Sequence, residues 1–186
     1  MTAPSVRLAW REVPDTSPRR EVAWGILREL LPEDAELSNP CPRCGGPHGP
    51  VRISGAPAVA SVTYAGTLAI VAVADSARFA AIGIDAEPRV DRQRDAAGLS
   101  GVLGAGAASL RAWVRVEAAL KADGRGLRVD PATVRIAETA DGWTATVPGG
   151  DALEGWDADG PDGILVSVAV RAVSAGPAAE AGRATA

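Results

Sequence analysis

The longest apolar-leaning stretch of the chain, Val59 to Ile84, is broken every few residues by Ser61, Thr63, Gly66, Asp75 and Arg78. A bilayer-spanning helix needs about 20 consecutive apolar residues, so this stretch cannot cross a membrane as one. Its pattern reads as strands. Ala58 to Tyr64 and Leu68 to Ala74 flank Ala65-Gly66-Thr67, a hairpin signal, and Ala80 to Glu87 follows as a third strand after the turn at Asp75-Ser76. The aromatic residues are five Trp, one Tyr and one Phe, so the core beneath these strands is built mainly from Ala, Val, Leu and Ile.

Before this meander, Arg7 to Val13 reads as an opening strand. Ser17 and Pro18 then suit the N-cap and first position of a helix. Val22, Ile26, Leu27, Leu30 and Leu31 recur at helical spacing, and Pro32 ends the run. Asn39 to Gly55, dense in Pro, Gly, Cys and His, reads as a loop. Arg89 to Gly106 reads as a connection, after which the order repeats. Ala107 to Asp123 is a helix closed by Gly124, and strands are expected at Leu127 to Val129, Val134 to Thr139, Trp143 to Val147 and Ile164 to Val173. Asp141-Gly142 suits the turn of a hairpin. The repeated order predicts an α+β fold of two helix-plus-meander lobes, residues 1–88 and 107–173, joined by 89–106 and followed by a disordered tail, 174–186.

The 186 residues suffice for a sizeable core, and 47% hydrophobic with 23% charged residues is an ordinary globular balance. A formal charge of -4 with no basic block disfavours nucleic-acid or anionic-membrane partners. Only two Cys occur, and Met1 to Ser5 lack the basic start and apolar run of a secretion signal, so a cytoplasmic protein is expected.

Two stretches carry chemistry. In Gly83-Ile84-Asp85-Ala86-Glu87 a strand sets Asp85 and Glu87 on one face, about 6 to 7 Å apart along the chain. Two carboxylates side by side repel unless a cation or proton intervenes, and hard oxygen ligands of this kind suit Mg²⁺ beside a phosphate. In Trp113 to Leu127, helical geometry puts Trp113, Glu117 and Lys121 in one row beside Leu110 and Leu120. A carboxylate on such a face calls for a partner such as a metal; the plainer alternative is a surface Glu–Lys pair.

Together these stretches resemble the 4′-phosphopantetheinyl transferases of the Sfp type. Gly-Ile-Asp-x-Glu is present at Gly83 to Glu87, and W-x-x-K-E-A-x-x-K-x-x-G-x-G-L is present from Trp113 to Leu127 except at Val116, where the family has Lys. The resemblance implies a two-lobed pseudo-dimer in one chain, sufficient as a monomer, with coenzyme A in the cleft between the lobes. It implies Asp85, Glu87 and Glu117 around Mg²⁺, Glu117 as the base and Lys121 on a phosphate. The implied reaction moves the 4′-phosphopantetheine arm of coenzyme A to a serine of an acyl or peptidyl carrier protein, releasing 3′,5′-ADP. The alternative is a degenerate homologue that binds coenzyme A or a carrier protein without efficient transfer.

By the same resemblance Arg19 and Arg20 lie near the 3′-phosphate of coenzyme A, while His48, Gly49 and Tyr64 contact the cofactor. Tyr64 stands where the family has His, and the basic residue common after Gly49 is replaced by Pro50. Cys41-Pro42-Arg43-Cys44-Gly45-Gly46-Pro47-His48 matches the family's loop before the first meander. Cys41, Cys44 and His48 also have plausible zinc spacing, but no second Cys or His cluster completes four ligands, and a loop shaping the adenine and phosphate pocket is favoured.

Overall fold

The computed structural model describes residues 6–91 and 109–174. The expectations for Met1 to Ser5, for most of the 89–106 connection, for the helix start at Ala107 and for the tail beyond Ser174 lie outside the described residues. In chain order the elements are β1 (Val6–Glu12), α1 (Arg19–Leu30), β2 (Glu36–Ser38), β3 (Arg52–Ser54), β4 (Ala58–Ala65), β5 (Leu68–Asp75) and β6 (Phe79–Pro88). They continue with α2 (Leu110–Asp123), single 3-10 turns at Gly126–Arg128 and Pro131–Thr133, then β7 (Arg135–Thr139), β8 (Gly142–Thr146), β9 (Ala152–Ala158) and β10 (Ile164–Ala172).

The fold is α+β, with antiparallel sheets of order β1-β5-β4 and β6-β10-β9-β8-β7 and a small β2-β3 pair. Strand periodicity explains how they stack. Ala69, Val71 and Val73 of β5 meet Ala23, Ile26 and Leu27 of α1. The alternate residues Ile70, Ala72 and Ala74 pack against Ile82, Ile84 and Ala86 of β6 and Val166, Val168 and Val170 of β10. Ala169, on the other face of β10, joins Ala118, Leu120, Trp143 and Leu153 beneath α2. The layers therefore run α1, sheet, sheet, α2, and the core between them is aliphatic.

Several elements differ from the sequence reading. The β4–β5 hairpin turns at Gly66, whose φ of 57° is left-handed. The expected third strand of that meander, β6, instead leaves its neighbours and pairs with β10, Asp85 opposite Ser167. The hydrophobic pattern set its faces but not its partner, because pairing depends on residues far along the chain. Helix α1 starts one residue late, with Pro18 at the cap position and no side-chain cap. The Asn39 to Gly55 segment contains β3, and Leu127 to Val129 is a 3-10 turn rather than a strand. Thr139 pairs with Gly142, so Ala140 and Asp141 form the hairpin turn and Gly142 opens β8. Strand β9 was not anticipated.

Helix α2 is bounded as its sequence dictates. The Ser109 side chain accepts from the Ala112 N–H, and Gly124, at φ 84°, returns its N–H to the carbonyls of Leu120 and Lys121. Among the described residues no helix is long and apolar enough to cross a membrane.

Candidate functional site

The site begins with a glycine. A β-carbon at Gly83 would overlap the Ala118 carbonyl oxygen and crowd the Ala122 nitrogen, so the backbone of α2 lies directly on β6. That approach carries Lys121 over the strand. Its ammonium donates to Asp85 Oδ1 at 2.6 Å, to the Ile84 carbonyl at 3.0 Å and to Thr63 Oγ1 at 3.2 Å. The Thr63 hydroxyl donates in turn to Asp85 Oδ1 at 3.1 Å. The adjoining Ile84 N–H donates to Ser61 Oγ at 3.1 Å, which fastens β4 to the free edge of β6.

Asp85 is only 6% exposed, and its second oxygen, Oδ2, is buried without a hydrogen-bond partner among the described residues. An unsatisfied buried carboxylate oxygen is costly unless a further cation or proton meets it. Glu117, one turn before Lys121, is half-buried. Burial pushes its carboxyl up from the ordinary value of 4.5, the nearby charges of Asp85 and Glu87 push it further, and Lys121 pulls it down. Asp85 and Glu87 of β6 therefore share one electrostatic neighbourhood with Glu117 of α2. The row Trp113, Glu117 and Lys121 lies along the flank of the buried face, whose centre is Val114, Ala118 and Leu120.

Beside this set opens a cleft of about 690 Å³, a size usual for small-molecule sites. Arg20, His48, Gly49, Tyr64 and Lys121, selected from well-separated parts of the sequence, all line it. Asp85, Glu87 and Glu117 are not among its lining residues; Lys121, which lines it, pairs with Asp85. Arg19 is not brought into the cleft either. Its guanidinium donates to the Gly66 carbonyl at 3.1 Å and sits 5.8 Å from the centre of the Tyr64 ring. Arg20 donates to the Pro47 carbonyl and so ties α1 to the Cys/His loop. Burial raises the Tyr64 phenol, against the opposing charges of Arg20 and Arg19, so Tyr64 remains a neutral hydrogen-bond donor.

Sequence reasoning missed three cations on the cleft wall, Arg43, Arg125 and Arg128. Arg43 is hidden between the two Cys. Arg125 and Arg128 follow the Gly124 cap, and basic residues placed immediately after the C-terminus of the site helix were the available signal. Arg125 pairs with Asp123 at 2.6 Å. Val116, the departure from the Lys of the motif, is buried in the core. Arg115 does not compensate for it: the guanidinium donates to both oxygens of Asp157 at 2.9 Å and also pairs with Glu138.

No family model matches the chain, and no curated protein matches it.

Proposed function

We propose that this protein is a Mg²⁺-dependent 4′-phosphopantetheinyl transferase acting from coenzyme A onto a serine of an acyl or peptidyl carrier protein. The observation that carries this reading is the convergence of Arg20, His48, Gly49, Tyr64 and Lys121 on one cleft, with Lys121 bonded to the acid that the same resemblance makes a metal ligand. The stacking of α1 with its three-stranded sheet against α2 with its five-stranded sheet supports a two-lobed pseudo-dimer.

The chemistry of the donor set suits a divalent ion, although the three carboxylates are not drawn together as closely as the ligand atoms of Cys41, Cys44 and His48, and an ion would have to gather them. Asp85 Oδ2 is buried and unsatisfied, and Asp85, Glu87 and Glu117 offer the hard oxygens that Mg²⁺ prefers. Held by these residues, Mg²⁺ would supply neutralisation of pyrophosphate charge. The remaining work falls to the chain. Lys121, Arg43, Arg125 and Arg128 present positive charge to the phosphates of a cleft-bound nucleotide, and Tyr64 adds a neutral donor. Glu117, its carboxyl raised above the ordinary value chiefly by burial, accepts the proton of the carrier serine. The serine oxygen bonds to the β-phosphorus as the bridging oxygen–β-phosphorus bond breaks, and 3′,5′-ADP leaves with that bond's electrons.

Incubation with coenzyme A, Mg²⁺ and a panel of apo carrier proteins, read by mass spectrometry, tests this. One phosphopantetheine added per carrier is expected, and Glu117→Ala should abolish it; turnover unchanged in that variant removes Glu117 from the site. The second reading, a homologue that binds coenzyme A without efficient transfer, is favoured by buried Val116 and the engagement of Arg115 with Asp157. Calorimetric binding of coenzyme A with no mass gained by any carrier would select it.

A further inference from the structure

The loop between β2 and β3 is built around Cys41, Cys44 and His48, three side chains with metal-binding chemistry of which the transferase reading uses only His48. The ligand atoms of Cys41, Cys44 and His48 all lie within 4.8 Å of one another, the one such trio among the described residues. Cys44 Sγ is 3.0 Å from His48 Nε2. A tetrahedral zinc, with bonds of about 2.3 Å to sulfur and about 2.0 Å to nitrogen, spaces its ligand atoms roughly 3.5 to 3.8 Å apart, so small side-chain adjustments seat it.

The backbone is arranged for the same purpose. The backbone N–H groups of Arg43 and Cys44 face the Cys41 sulfur. Gly45, at φ 73°, turns the chain back after Cys44, and its N–H donates to the Cys41 carbonyl at 2.8 Å. Gly46 lies under the pair: a β-carbon there would press on both Cys44 Sγ and the His48 ring. Gly49 closes the loop, its N–H donating to the Asn39 carbonyl at 2.8 Å where a β-carbon would strike Pro40. Both cysteines are free thiols.

We propose that Cys41, Cys44 and His48 bind one zinc ion, with the fourth position left to water on the side of the cleft, which Cys41 and His48 line. Two thiolates neutralise the ion, so the site adds no net charge beside the arginines. Zinc pins the loop whose Pro47 carbonyl holds Arg20 and Asn39, and so fixes one wall of the cleft. In this proposal a solvent molecule serves as the fourth ligand that the sequence lacks.

The test is the metal content of the full-length protein after purification without chelator and dialysis against metal-free buffer. About one zinc per chain is expected in the wild type. Less than about one tenth of that is expected in Cys41→Ser/Cys44→Ser and in His48→Ala, while His48→Cys retains it. Cobalt substitution should give a thiolate-to-metal charge-transfer band that the double variant lacks. Circular dichroism of each variant separates loss of metal from loss of fold, and His48→Ala, at an exposed position, provides the reading if the double variant does not fold. Substoichiometric zinc in the wild type, a Cys41–Cys44 disulfide in its place, or zinc retained by the double variant would overturn the proposal. The readout is metal alone, so absence of carrier modification with zinc present defeats only the transferase reading.

Discussion

The two helices meet their sheets in different ways. Helix α1 rests on β5 through ordinary side-chain contact, with Ala23, Ile26 and Leu27 over Ala69, Val71 and Val73. Helix α2 lies backbone to backbone on β6 at Gly83. The first arrangement needs only apolar bulk and tolerates small changes of volume. The second brings a short loaded stretch of helix within hydrogen-bonding distance of a strand carboxylate, and it depends on one missing side chain. Asp85, Glu117 and Lys121 of the candidate site gather at the second contact because a close helix–strand approach is what lets Lys121 bridge to Asp85.

The largest effect should come from breaking that contact. Gly83→Ala places a methyl against the Ala118 carbonyl and is expected to destabilise the protein by about 3 kcal/mol, the upper end for overpacking. Ile26→Val, which removes one methyl from the α1 contact, should cost about 1 kcal/mol. Denaturant unfolding of both variants measures the difference, and equal costs would mean that the two contacts are alike after all.

An intermediate effect follows from Glu117. Its folded-state pKa lies above the ordinary 4.5, so its favourable contribution to stability is complete below that value and is lost as pH rises through the folded pKa. Glu117→Gln should therefore gain on the wild type in thermal stability as pH climbs from 4.5 through that range. Saturating Mg²⁺ should narrow the gap by supplying the acids with a counter-charge. Melting curves at stepped pH, with and without Mg²⁺, check this, and parallel curves would place Glu117 in ordinary solvent.

The smallest effect concerns the helix ends. Ser109→Ala removes the cap of α2 and should cost about 1 kcal/mol, whereas Ser17→Ala, before a helix with no side-chain cap, should stay within about 0.5 kcal/mol. Thermal denaturation of the pair distinguishes a capped from an uncapped start.

The same contrast explains what the sequence made legible. The β4–β5 hairpin could be read because its period and its turn at Gly66 are local. Asp85 could be grouped with Glu87, and Glu117 with Lys121, because strand and helix periods fix which residues share a face; that the strand pair meets the helix pair was implied only by the resemblance. The pairing of β6 with β10 could not be read, since both faces of β6 are buried and its alternation names no neighbour. Strand β9 was hidden by Glu154, Gly155 and Asp157, which interrupt its apolar pattern. Gly155 is there because the Trp143 ring lies flat against it, and Asp157 because it receives Arg115, both contacts with residues distant in sequence. Arg43, Arg125 and Arg128 were missed because a cleft wall is assembled from three dimensions, and no one-dimensional spacing marks it.

The detour of β6 into the second sheet also bears on biosynthesis. As the chain leaves the ribosome, Ile82, Ile84 and Ala86 emerge early, whereas Val166, Val168 and Val170, which share their core, lie on the last described strand. The nascent chain must carry an uncovered aliphatic surface on β6 until β10 has been made, so its exposure to chaperones is set by the length of chain between the two strands.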